Sequence, residues 1–217
     1  MRRRRMEILG AFVCFMLVAG FAHAYTIDNT PDHRIGDAAF FVYGINVFQS
    51  GGNLTFDIYT NYPQGGYSIY NWHTMPGDLA IDPNRDGKYE YGIAFTGHDG
   101  LTAGELYKVD PTTGWHISGF DRPSNNFIWN QNKIVQIWAG SPQYLGAVTW
   151  NSNYIEATGI PITALGIQGD SFNVFYASAT CANDYVGGTA SVPEPTTMLL
   201  LGAGLVGLVG FKKKSKK

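Results

Sequence analysis

The chain has 217 residues, 45% of them hydrophobic and 15% charged, with a formal net charge of −2. Between Tyr25 and Ser191, however, six basic side chains stand against fifteen acidic ones, so this body carries a charge near −9. Such a balance excludes nucleic acid and anionic membrane as partners and leaves cations and neutral polysaccharide open.

The N-terminus reads as an export signal. Arg2 to Arg5 form a basic stretch, Ile8 to Phe21 an apolar one, and Ala22-His23-Ala24 a small-x-small cleavage site. This pattern predicts a signal peptide over residues 1–24, cut by signal peptidase beside Ala22 and Ala24, with Tyr25 as first mature residue.

Residues 25–186 show period two rather than helical period. Leu54, Phe56 and Ile58 alternate with Thr55, Asp57 and Tyr59, and Phe172, Val174 and Tyr176 repeat the pattern. Further strands are predicted at Ala39–Phe48, Asp78–Ile81, Tyr89–Phe95, Leu106–Val109, Lys133–Trp138, Leu145–Trp150 and Tyr154–Ile160. Turn residues separate them at Gly51-Gly52, Asp86-Gly87, Asp110-Pro111, Ser141-Pro142 and Gly169-Asp170. The expected fold is all-β: an antiparallel β-sandwich of jelly-roll or lectin-like type.

The stretch Asp82-x-Asn84-x-Asp86-Gly87 carries oxygen ligands at alternate positions and a glycine for a sharp turn. With the Lys88 carbonyl and Glu90 it fits the first half of a calcium loop. Ile93 stands where a helix–loop–helix site needs a bidentate glutamate, so calcium would be held in a β context. A plain hairpin turn is the alternative, since Asn, Asp and Gly also suit turn geometry.

The aromatic residues form a second candidate. Tyr62, Tyr67, Tyr70 and Trp72 cluster around Gly65-Gly66, and Trp115, Trp129, Trp138 and Trp150 stand on later strands. Their faces suit sugar rings; filling the core is the other role open to them. Catalysis has the thinnest support. Glu90, Glu105 and Glu156 are strand-borne carboxylates with no motif pairing any two, and no nucleophile or phosphate-loop motif occurs. His33, His73, His98 and His116 lack metal-ligand spacing, and His98-Asp99 reads as a solvated pair in a loop. No enzyme activity is expected. Cys181, alone in the body, excludes an internal disulfide and is expected to be buried.

Gly187-Gly188-Thr189-Ala190-Ser191 reads as a flexible linker over residues 187–192. Pro193-Glu194-Pro195 comes next, each proline holding the chain extended. An apolar run then predicts a short transmembrane helix over residues 197–211, closed by Lys212, Lys213, Lys214, Lys216 and Lys217. Counting Thr196 as well, its reach is roughly 24 Å against a hydrocarbon core of about 30 Å, which suits a temporary anchor. The lysines belong on the cytoplasmic side, as do the N-terminal arginines, so the body lies outside.

Val192-Pro193-Glu194-Pro195-Thr196-Thr197, then an apolar helix, then a basic tail resembles a PEP-CTERM sorting signal over residues 193–217. The same C-terminal segment is also labelled as that of ice-binding proteins, a label that fixes no activity. The resemblance implies recognition at Pro193, Glu194 and Pro195 by an exosortase, a membrane protease-transpeptidase of Gram-negative, exopolysaccharide-making bacteria. The segment Gly77-Asp78-Leu79 to Ile93 resembles one common in such surface proteins. Cys181-Ala182-Asn183-Asp184 resembles their Cys-Gly-Asn-Asp element, with Ala182 in place of glycine and no histidine on the strand before it.

These readings predict an exported, exosortase-processed surface or matrix protein with a structural or adhesive role in an exopolysaccharide-rich envelope or biofilm. The first alternative is a calcium-assisted, carbohydrate-binding lectin-like module. The second is a secreted glycoside hydrolase or lyase.

Overall fold

A computed structural model describes residues 23–69, 71–121, 129–167 and 169–192. Ala22, the sorting residues Pro193, Glu194 and Pro195, and the helix expected over 197–211 lie outside these. Among the described residues no helix is long and apolar enough to cross a membrane.

The first described strands are β1 (His23–Asp28), β2 (Val42–Ser50), β3 (Asn53–Thr60), β4 (Tyr67–Ile69) and β5 (Trp72–Thr74). Next come β6 (Leu79–Asp82), β7 (Tyr91–Ile93), β8 (Glu105–Val109), β9 (Trp115–Ile117) and β10 (Ile134–Ile137). The last are β11 (Gly140–Leu145), β12 (Ala147–Trp150), β13 (Tyr154–Pro161), β14 (Ser171–Ala177) and β15 (Tyr185–Ser191), with one helical turn, α1 (Ile162–Leu165), after β13. One sheet runs β1-β2-β3-β13-β12 and another β11-β8-β7-β6-β14-β15; β4-β5 and β9-β10 form two-stranded ribbons.

The alternation in β3 sets the first sheet. Leu54, Phe56 and Ile58 have no solvent exposure, and the antiparallel register places Ile45 and Ile155 opposite Ile58, with Val47 and Ala157 opposite Phe56. From the second sheet Leu79, Ile81, Ile93, Leu106, Phe172, Val174 and Tyr176 enter the same core. Phe56 and Phe172 meet edge to face at 6.2 Å across it. The described residues are thus mostly β, in antiparallel sheets, and the two larger sheets contribute to one shared apolar cluster. Each large side chain buried there contributes about 1.5–3 kcal/mol.

Several expectations are corrected. The strand predicted from Ala39 begins instead at Val42. Ala38–Phe40 is a 3-10 turn, held by Asp37, whose carboxylate accepts from the Ala39 N–H at 2.8 Å. The strand predicted over Leu145–Trp150 breaks at Gly146, where the chain passes from the edge of one sheet to the edge of the other. Ser141-Pro142 is not a turn but part of β11, an edge strand that tolerates a proline.

Of the linker expected over residues 187–192, all but Val192 is instead part of β15. It pairs with β14 from Ala177↔Tyr185 to Ser171↔Ser191. Its glycines serve close approach rather than flexibility. A Cβ on Gly188 would stand 2.9 Å from Ile27 Cγ2, and one on Gly187 would stand 3.0 Å from the Phe175 ring. The domain therefore extends beyond residue 186, through Val192, whose N–H donates to the Asp170 carbonyl.

Candidate functional site

Of the predicted calcium residues, Asp82, Asp86 and Glu90 come together after β6. Asp82 is fully buried, and its Oδ1 accepts from the Arg85 N–H at 2.6 Å and the Asp86 N–H at 3.3 Å. Its Oδ2 accepts from the Gly87 N–H at 2.9 Å and from Asn173 Nδ2 at 3.0 Å. Asn84 Oδ1 accepts from the Asp86 N–H, and Asp86 Oδ1 from the Lys88 N–H. These bonds wind the loop around one carboxylate, with Gly87 at φ 83° supplying the turn.

Asp82, Asp86 and Glu90 present carboxylate oxygens within 4.8 Å of one another. Glu90 Oε1 accepts from Asn84 Nδ2 at 3.3 Å, while Oε2 is shielded from solvent and takes no hydrogen bond. Burial pushes the Glu90 carboxyl up, and the charges of Asp86 and Asp82 push it further, against the opposing bond from Asn84. An oxygen-only donor set with an orphaned acceptor fits a hard cation such as calcium. Against it, the Lys88 ammonium stands 3.7 Å from Asp86, exposed, as an internal counter-charge. Asn173 is the residue that sequence reasoning missed. Register alone brings it in, since it lies opposite Asp82 on β14.

A second network starts at Asp78, also fully buried on its side chain. Its Oδ1 accepts from the Phe95 N–H at 3.0 Å, and its Oδ2 from the Ile137 N–H at 2.9 Å. His98 Nε2 lies 2.8 Å from the same Oδ2, and His98 Nδ1 lies 3.1 Å from Asp99 Oδ2. His116 Nε2 approaches Asp99 from the other side at 3.4 Å. The reading of His98-Asp99 as a solvated pair is therefore corrected: the His98 side chain is only 13% exposed and bridges two carboxylates. Burial alone would lower its pKa, but the hydrogen bonds and charges of Asp78 and Asp99 outweigh this and raise it to about 9.

Most of the aromatics are structural. Tyr62 and Trp72 are buried beside Phe40, and the Tyr62 hydroxyl donates to the Thr74 carbonyl. Trp115 and Trp150 donate their indole N–H to the carbonyls of Tyr89 and Phe95. Trp138 differs, with 52% of its surface exposed. Tyr70 lies outside the described residues.

Of the three candidate glutamates, Glu105 lies on β8 and Glu156 on β13, while Glu90, expected on a strand, lies in the loop just before β7. Glu105 accepts from the Tyr107 hydroxyl, and Glu156 stands opposite Asp57 in the β13–β3 register. Cys181 is 1% exposed, and burial pushes its thiol up to about 12, so it is an inert core group as expected. Asp184, three residues on, binds the N-terminal segment: its carboxylate accepts from the Val42 N–H at 2.7 Å and from Asn29 Nδ2 at 3.1 Å.

Asp184 thus fastens β15 to the chain just after β1, and the described unit ends at Val192, directly before Pro193. The C-terminal segment decides the destination. Residues 191–214 match the model of the PEP-CTERM protein-sorting motif. The motif implies export, processing by an exosortase and sorting to the cell surface. No curated protein and no solved structure matches the chain.

Proposed function

We propose that this is a surface or matrix protein with a structural and adhesive role in an exopolysaccharide-rich envelope or biofilm, and that it is not an enzyme. The sorting motif at residues 191–214 carries the reading. In it, the signal peptide over 1–24 starts export, and the apolar run over 197–211 holds the precursor in the inner membrane with its lysines inside. The exosortase then cuts beside Pro193-Glu194-Pro195 and releases a body we read as a jelly-roll or lectin-like sandwich. The acidic balance of that body supports contact with neutral polysaccharide rather than with anionic surfaces. The test is fractionation of an exosortase-bearing host. The intact chain should appear in the matrix fraction, and a variant with Pro193, Glu194 and Pro195 replaced by alanine should stay with the inner membrane. Equal distribution of the two would refute the proposal.

A second reading, a calcium-assisted lectin-like module, is favoured by one observation: Glu90 Oε2 is buried, unpartnered and beside Asp82 and Asp86. Asp82, Asn84, Asp86, the Lys88 carbonyl and Glu90 would hold the ion. Binding would relieve the repulsion among the three carboxylates and stiffen the loop between β6 and β7. Calorimetric titration with calcium tests it directly, and absence of heat at millimolar calcium would discard it.

A further inference from the structure

The Asp78–His98–Asp99–His116 chain is an unusual thing to build at the rim of a sheet. Taking a carboxylate and an imidazolium out of water costs several kcal/mol unless other contacts offset it. Asp78 is fully enclosed, and it joins two parts of the molecule: the loop bearing His98-Asp99, and the backbone of Ile137, whose next residue is Trp138. The network therefore fixes Asp99 and Trp138 relative to one another.

Around them lies an exposed aromatic cluster. The His116 ring stacks parallel on Phe120 at 3.7 Å and 2°, and Trp138 leans on His116 at 4.7 Å. Phe120 is 44% and Trp138 52% exposed, although both are large apolar groups. Asp99, 31% exposed, stands at the edge of the cluster with its Oδ2 already shared between two imidazoles. Among the described residues, Phe120 and Trp138 pack on the His116 ring and leave much of their aromatic faces in water.

We propose that Trp138, Phe120, His116 and Asp99 form a binding site for a neutral pyranose of a polysaccharide chain. A sugar ring presents C–H groups on its faces and hydroxyls around its edge. The faces suit Trp138 and Phe120, and the hydroxyls suit the free lone pairs of Asp99. A carboxylate at the rim and an acidic body discriminate against uronates, phosphates and sulfates. Because Asp78 and His98 hold the parts in place beforehand, little ordering is needed on binding. This deepens the adhesive reading, on which it rests, and it does not involve the Asp82–Glu90 loop.

The test is affinity electrophoresis of the mature protein recovered from an exporting host. The gels contain β-1,3-glucan, β-1,4-glucan, mannan or galactan, with alginate as the anionic contrast. At least one neutral polymer should retard the protein, with alginate without effect. Trp138→Ala should weaken that retardation at least tenfold with the thermal midpoint unchanged, and Asp99→Asn should weaken it severalfold. Excess chelator should leave it intact, which separates this site from a calcium-dependent lectin. The proposal is overturned if no neutral polymer retards the protein, or if Trp138→Ala binds as the parent does. It is equally overturned if Trp138→Ala abolishes only self-association, measured by sedimentation. The broader adhesive reading fails separately, if the intact chain never reaches the matrix fraction.

Discussion

His98 Nε2 lies 2.8 Å from Oδ2 of Asp78, a carboxylate without solvent exposure. Burial opposes the imidazolium, but Asp78 and Asp99 hold its pKa at about 9, above the ordinary histidine value of 6.5. The charged ring therefore stabilises the fold fully below pH 6.5, and that contribution is lost as pH rises through 9. Its size is about 3 kcal/mol. Urea midpoints of the parent and His98→Gln, compared at about pH 6 and about pH 10, measure it. The gap between the two should be large in the acidic buffer and close by about that amount in the basic one, while a constant gap would place the stabilisation elsewhere.

Asp82 and Glu90 should separate folding from ion binding. Asp82 accepts from three loop N–H groups and Asn173, so Asp82→Ala should cost about 2–4 kcal/mol even with chelator present. Glu90→Gln removes one charge from a crowded group of three and should leave the chelated protein at least as stable as the parent. If calcium binds, it should raise the parent's midpoint by the equivalent of about 2.7 kcal/mol at a hundredfold excess over Kd, and do so far less in Glu90→Gln. Differential scanning fluorimetry reads both, and an identical calcium response in the two proteins would remove Glu90 from the site.

Ala182 sits at φ 48°, a left-handed conformation that disfavours a side chain. Ala182→Gly relieves this strain but removes a fully buried methyl clustered with Val135 and Ala177, so the two effects, each about 1 kcal/mol, should nearly cancel and leave a shift below about 0.5 kcal/mol. Chemical denaturation measures the shift.

Gly188→Val tests whether β15 is structural. The new side chain would press on Ile27, and the loss should be about 1–3 kcal/mol. A true linker would tolerate the change without any shift in melting.

Legibility in the sequence tracks the range of the interactions. β3 and β14 are plain because alternation is a local pattern and one face of each is fully buried. The turn after β6 is equally plain, since Asp82, the N–H groups it accepts from and the turn glycine lie between Asp82 and Gly87, whereas Asn173 arrives only through the β14 register. β15 is hidden, because Gly-Gly-Thr-Ala-Ser has the composition of a linker. Only the bulk of Ile27 and Phe175, distant in sequence, explains its glycines. His98-Asp99 looks solvated for a similar reason: its decisive partner, Asp78, is 20 residues away, and Asp78 in turn is 59 residues from Ile137. Spacing does not distinguish Trp138 from the core tryptophans, since exposure depends on which ribbon a residue adjoins.

On this reading the body is exported and cut free beside Pro193-Glu194-Pro195. Intact-mass measurement of the protein recovered from the surface or matrix of an exosortase-bearing host tests it most directly. The predicted species begins at Tyr25 and lacks Lys212 to Lys217. Surface material that keeps its lysine tail, or a full-length chain confined to the cytosol, would contradict it.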